Sequence, residues 1–226
     1  MKKIQLILLG LMVVIAVNCK GKADSDTVNS DSDSMDMDSQ EMELDAKAIA
    51  KSGMFSIIED STKVHFTAYK TTDKVPVGGN FLKADISYEV SESPKEIING
   101  LEFSIPVSSL FTNDATGTRD PKILEFFFGV MAETELINGK FTVKDDQNCV
   151  ASLTMNGVTA DLPMVYSIDG QQVNFEGTID LKNWNALEAL ASLNKACEIL
   201  HTGPTDGISK TWEDVAVNAS LLFEEK

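Results

Sequence analysis

The chain has 226 residues, 19 basic against 35 acidic for a net charge of −16, a hydrophobic fraction of 43% and three cysteines. That composition suits one or two globular domains with a true core, and it argues against a disulfide scaffold or a fully disordered chain. A chain so acidic, with Arg119 its single arginine, is repelled by phosphate backbones, so nucleic acid is not expected as a partner.

Residues 4–17 form an apolar run behind Lys2 and Lys3. The run is too short for a permanent membrane span and predicts a secretory signal over residues 1–18. Its end, Ala16-Val17-Asn18-Cys19, resembles the lipobox of bacterial lipoproteins, in which the cysteine is lipidated and becomes the first residue. Asn18 departs from the usual small residue, and an ordinary secretion signal is the alternative. Two acyl chains on Cys19 would anchor the protein stably in a membrane. The expected location is the bacterial cell envelope, tethered to the outer membrane on its periplasmic or outer side.

Residues 19–45 carry Ser, Asp, Met and Glu with no apolar period and no aromatic residue, including Ser30-Asp-Ser-Asp-Ser-Met-Asp-Met-Asp-Ser39. Such a segment cannot offset its ordering entropy by burial, so it is expected to be a flexible acidic tether reaching about 25–30 Å as a coil. Its aspartates offer oxygen ligands but lack the glycine and closing glutamate of a calcium loop, and no metal is assigned. The folded domain is placed at residues 46–226, with 15 basic and 26 acidic residues.

That domain reads mostly as strands. Val64, Phe66 and Ala68 alternate with polar neighbours, as do Leu82, Ala84, Ile86, Tyr88 and Val90, then Leu101, Phe103, Ile105 and Val107. A period of two means one buried and one wet face, the habit of antiparallel sheets. Residues 119–131 are too apolar for a free loop, and Pro121 suits the first turn of a short helix. Asn156-Gly157 predicts a two-residue type I′ hairpin pairing Met155 with Val158, Leu153 with Ala160, Ala151 with Leu162 and Cys149 with Met164. All eight share one parity, so the turn and the pattern select one register. A second hairpin through Asp169-Gly170-Gln171-Gln172 carries this face to Val173, Phe175, Gly177, Ile179 and Leu181. Residues 183–201 place Trp184, Leu187, Leu190 and Ala191 near helical spacing, with Asn183 as the expected N-cap. Val215, Val217, Ala219, Leu221 and Phe223 make the last strand. The expected fold is all-β with minor α: about eight antiparallel strands closed as a barrel, with one or two short helices.

At this point the residues carry a resemblance. Val77-Gly-Gly-Asn-Phe81, Ser108-Ser-Leu-Phe-Thr112, Thr118-Arg-Asp120 with Phe126-Phe-Phe128, and Leu153-Thr-Met-Asn-Gly-Val-Thr159 together look like the YceI-like family over roughly residues 54–226. The resemblance implies a secreted bacterial protein with an extended, lipocalin-like antiparallel barrel that holds a polyisoprenoid chain. The lipid anchor, the acidic spacer and a long insertion carrying Cys197 depart from the family pattern and leave the ligand's identity open.

The inward parity includes Ala68, Ala84, Ala151, Ala160, Gly177 and Ala219 among large residues, leaving volume for a slender ligand unless small and large side chains simply fit a tapered core. The candidate ligand-binding residues are Phe66, Tyr88, Phe103, Ala151, Met155, Ala160, Met164, Tyr166 and Phe175. Such a lining rewards an apolar chain and offers nothing to a charged metabolite, while the tyrosine hydroxyls are candidates for a polar head group. The expected ligand is a long, isoprenoid-like lipid. Other expected partners are a membrane reached through Cys19 and, left open, a homodimer. The competing reading is a ligand-free envelope interaction or stress-related module. Arg119 could clamp a head group or pair with Asp120 or another carboxylate, and the structural role is favoured.

Enzyme chemistry finds little support. His65 falls on the outward parity, His201 follows the late helix, and neither belongs to a nucleophile elbow, a Cys-His arrangement or a metal-spaced pair. No catalytic residue is assigned. Cys149 and Cys197 remain as an even pair in an oxidising compartment; they either pair, which requires the late helix to cap the barrel end at Cys149, or stay as two buried thiols.

Overall fold

The computed structural model describes residues 53–226, so the signal, Cys19 and the tether lie outside the described residues. Eleven strands account for most of the domain: β1 Phe55–Ile57, β2 Lys63–Lys70, β3 Val75–Phe81, β4 Asp85–Ser87, β5 Glu102–Pro106, β6 Leu110–Phe111, β7 Leu136–Val143, β8 Asn148–Met155, β9 Val158–Asp169, β10 Gln172–Asp180 and β11 Asp214–Glu225. Four helices interrupt them: α1 Pro94–Ile98, α2 Arg119–Phe126, α3 Leu187–Ala196 and α4 Glu198–His201.

Every ladder is antiparallel, in the order β4-β5-β7-β8-β9-β10-β11-β2-β3-β6, with β1 also on β11. The two ends of this path are the same pair of chain segments. Strand β4 continues β3 and β6 continues β5, so the sheet curls into a barrel of eight strand passes with one seam. At the seam Phe81 faces Leu110 and Asp85 faces Ser104, leaving residues 82–84 opposite 105–109. The surplus on one side is taken up by a 3-10 turn at Val107–Ser109. The Leu82 N–H still reaches the Ser109 carbonyl at 2.9 Å, and the Ser109 hydroxyl donates to the Lys83 carbonyl at 3.4 Å. A seam of this kind bends the wall without leaving a long open edge.

The hairpin at Asn156-Gly157 has the expected register, residue for residue, and both turn residues have positive φ, 54° and 67°. Asn156 also works through its side chain. Its Oδ1 accepts from the Ala132 N–H at 2.8 Å, and its amide donates to the Trp184 carbonyl at 2.9 Å and the Asn185 carbonyl at 3.1 Å. One side chain thereby holds three segments at this end of the barrel. Trp184, fully buried, donates its indole N–H to the Leu153 carbonyl at 2.8 Å and anchors the segment leading to α3. The opposite end is closed by α1 and a packed layer that includes Ile98, Leu101, Val173, Phe175 and Phe223. Phe141 stacks on Phe175 there, with centroids 4.6 Å apart.

Two expectations are corrected, and of the two alternatives left open for the cysteines the structure has separate thiols. The alternation from Leu82 to Val90 overstates a strand: pairing covers only Asp85–Ser87, and Leu82 and Val90 are 70% and 53% exposed because the seam and the chain beyond it leave the wall. Asn183 caps no α-helix. It lies in a 3-10 turn, Leu181–Trp184, capped by Asp180, and Asn185 at φ 54° breaks the chain before α3 begins. Cys149 and Cys197 are both free and buried. Cys149 begins β8 at the closed end, whereas Cys197 follows α3 at the end held by Asn156, so the helix caps the wrong end for a bridge.

Candidate functional site

The inner faces of the strands enclose unfilled space rather than a solid core. A first chamber of about 120 Å³ has a wholly apolar surface and lies among Ile86, Phe103, Ala151, Met164, Phe175 and Ala219. A second, also about 120 Å³ and almost entirely apolar, lies among Phe66, Ala68, Phe127, Met155, Leu190 and Trp212. Phe81, Ile137, Ile179 and Val217 belong to both, so the two are in series and divided only by those side chains. A third space of about 230 Å³ shares Phe66, Ala68, Ile123, Leu193 and Thr211 with the second, and beyond them charged and hydroxyl side chains join its lining. The interior is thus a track: apolar at depth, polar at the mouth between α2 and the α3–α4 junction.

Local chemistry explains the track. Ala68, Ala84, Ala151 and Ala219 leave the chambers open where larger side chains would fill them. Ala160 packs against the core beside Leu153 without lining a chamber. Gly177 leaves no void, because a Cβ there would meet the Met164 Cγ at 3.1 Å. Two glycines shape the walls by close approach. Phe66 lies across its partner Gly79 and Phe103 across its partner Gly139, each ring occupying the place a Cβ would take. The rings therefore lie along the wall and leave the lumen free.

Of the nine candidate lipid contacts, Phe66, Phe103, Ala151, Met155, Met164 and Phe175 line the two chambers, and Tyr88, Ala160 and Tyr166 do not. The tyrosine hydroxyls have backbone partners at the closed end. Tyr88 accepts from the Ile57 N–H at 3.0 Å and donates to the Ile57 carbonyl at 3.2 Å, and Tyr166 donates to the Asp145 carbonyl at 2.8 Å. They are not available for a head group. His65 sits outside the barrel, its Nδ1 3.0 Å from Asn80 Oδ1.

The polar mouth was not anticipated. Period two along β2 places Lys70 on the same inner face as Phe66 and Ala68, and helical spacing on α2 places Arg119, Lys122 and Ile123 on one face. Each pattern marks its own basic residues, but only the fold brings β2 and α2 together. Arg119 pairs with Asp114, Nη2 to Oδ1 at 3.5 Å, while Asp120 instead accepts from the Thr112 N–H at 3.1 Å and from its hydroxyl. The Thr116 hydroxyl, at 2.5 Å, holds Asp114 below the usual carboxylate range, helped by the N–H groups of Thr118 and Arg119. His201 is pushed down to about 4 by burial and then by the fields of Lys70 and Lys122, so it is neutral at pH 7. Its Nδ1 lies 2.6 Å from the Thr211 hydroxyl, which donates to Asn194 Oδ1 at 2.8 Å. At the other end burial pushes the Cys149 thiol up to about 11.

Residues 55–223 match the YceI-like domain. The chain belongs to the YceI-like family. Solved structures similar to this YceI-like chain include a polyisoprenoid binding domain from Saccharophagus degradans implicated in plant cell wall breakdown. That domain is 12% identical, with a TM-score of 0.56 over 77% of this chain and 99% of that one. BcnA from Burkholderia cenocepacia is 16% identical, with a TM-score of 0.49 over 75% of this chain and 99% of that one. No curated protein matches the chain significantly. The YceI-like fold is the antiparallel barrel that the alternating pattern implied, in the extended, lipocalin-like form that the resemblance implied.

Proposed function

We propose that this YceI-like protein binds a long apolar lipid of isoprenoid type inside its barrel and carries or sequesters it in the bacterial envelope, without chemistry. The observation that carries the reading is the pair of apolar chambers in series, the second continuous with a space lined by charged side chains. Empty apolar cavities of roughly 150 Å³ take up small hydrocarbons, and two of about 120 Å³ in line suit a chain better than a compact molecule. Burial returns about 25 cal/mol per Å² removed from water, and Met155 and Met164 adapt to irregular tails. The polyisoprenoid binding reported for the similar Saccharophagus degradans domain supports the same ligand class.

Placement in the envelope rests on the sequence: the apolar run ending at Cys19 supports a lipidated cysteine, and the acidic segment to residue 45 supports a tether to the outer membrane. The barrel would then collect its lipid near the membrane and shield it from water. Uptake of a radiolabelled polyprenol by the purified chain tests the lipid reading. Saturable uptake at about one lipid per chain is the expected result, and absence of saturable uptake would leave a ligand-free interaction module as the better account. Cys19→Ser tests the anchor separately: release from the membrane fraction is expected, and full retention contradicts it.

A further inference from the structure

We propose that the carried lipid has an anionic head group, a phosphate or carboxylate, held at the barrel mouth by Lys70 and Lys122 beside Arg119. This deepens the lipid reading and rests on it.

The mouth is continuous with the apolar track through Phe66, Ala68 and Ile123, so a chain lying in the chambers brings its polar end here. A polar space that shares Ile86 and Phe103 with the first chamber holds Asp85 and Glu102 beside Lys140, a net negative charge that disfavours an anion. The tyrosine hydroxyls at the end opposite the mouth are bonded to backbone. Seven titratable or charged side chains line the mouth: Tyr69 and Lys70 from β2, Asp114 from the loop before α2, Arg119 and Lys122 from α2, Cys197 from the α3–α4 junction and His201 from α4. Asp114 is engaged by two backbone N–H groups, the Thr116 hydroxyl and the Arg119 guanidinium. His201 is neutral. Lys70 and Lys122 are half-buried, and among the described residues neither has a carboxylate partner. The mouth therefore carries an excess of about two positive charges, in a domain with 26 acidic and 15 basic residues.

Cations gathered without counterions at the polar end of an apolar track complement one kind of molecule, an amphiphile with a negative head. A neutral head, a quinone or an alcohol, would leave both lysines uncompensated. Burial is the main cause of the low affinity of His201 for a proton and the fields of Lys70 and Lys122 add to it; an anion seated there would offset that second contribution.

The test compares probes with matched tails. Farnesyl phosphate and farnesol, and oleate and oleyl alcohol, are titrated against the full chain at two salt concentrations, and His201 is followed by NMR. Binding of the anionic member of a pair at least about tenfold tighter than its alcohol is expected, with a preference that weakens in salt. Lys70→Gln/Lys122→Gln should abolish that preference while leaving alcohol binding unchanged, which also shows that the variant is folded. The His201 pKa should rise on binding the anion and not the alcohol. Preference for farnesyl phosphate alone assigns phosphate, and for oleate alone carboxylate. Alcohols bound as tightly as anions, or a preference that survives in the double variant, overturns the head-group proposal and leaves the lipid reading standing. Failure of all four probes overturns both.

Discussion

Ala151→Phe sets a benzene-sized ring into the first chamber. Ala151 is 1% exposed and sits in mid-strand on β8, paired with Phe141 and Leu162, so the new side chain has no route outward. The chamber measures about 120 Å³, somewhat less than the roughly 150 Å³ in which an engineered cavity accepts benzene. The ring should fill it at an overpacking cost of about 1–3 kcal/mol, or roughly 2–12 °C in Tm for a domain of this size. The filled volume is what the lipid loses. At about 30 Å³ for a group the size of a water molecule, the chamber holds about four such groups. At about 0.8 kcal/mol per buried CH₂ their exclusion costs about 3 kcal/mol, a factor of about 100 in affinity. Equilibrium binding of a radiolabelled polyprenol reads this directly, with circular dichroism confirming the fold. A folded Ala151→Phe variant that binds within threefold of the wild type would refute the placement of the chain in this chamber. Ala160→Phe is the control, because Ala160 lines neither chamber and its substitution should tax stability more than affinity.

Other expectations can be checked with equal economy. Gly139→Ala should drive the Phe103 ring off the wall and into the lumen, lowering both Tm and lipid affinity; unchanged affinity in a folded variant would mean that the ring does not border the ligand. Asn156→Ala removes three hydrogen bonds and puts alanine at φ 54°, for a loss of about 2–4 kcal/mol read by thermal or urea denaturation. His201 binds its proton less readily folded than unfolded, so its contribution to stability is fully present above the unfolded value of about 6.5 and is lost as pH falls toward about 4. His201→Gln should therefore narrow the Tm difference between pH 7 and pH 5, and an unchanged difference would place the histidine in a more solvated setting. With Cys19 replaced by Ser, thiol titration in denaturant without reductant should find two free thiols; in the native state Cys149, buried and with its pKa near 11, should resist alkylation at pH 8.

What could be read from the sequence divides by the range of the forces involved. The hairpin at Asn156-Gly157 was fully legible, because a two-residue turn with positive φ at both positions and an eight-residue parity are local signals that agree. The inner face of β11 was legible for the same reason, its alternation running unbroken from Val215 to Phe223. Alternation failed at Leu82 and Val90, since it records which residues could share a face and not whether a partner strand reaches them. The tyrosines were misjudged because their acceptors are backbone carbonyls at Ile57 and Asp145, and a carbonyl has no sequence signature. Helix α1 had a signal that went unread, Ser93 followed by Pro94 at the first helical position. The lysines at the mouth come from β2 and α2, and no one-dimensional pattern brings those two together; the barrel does.

Native mass spectrometry of the full chain, purified without added lipid and examined before and after extraction with organic solvent, bears most directly on the claim that the barrel carries a lipid chain. The expected spectrum shows a non-covalent mass increment of one long-chain lipid, removed by extraction and absent from the folded Ala151→Phe variant. A chain with no extractable increment, or an increment that survives undiminished in Ala151→Phe, would contradict it.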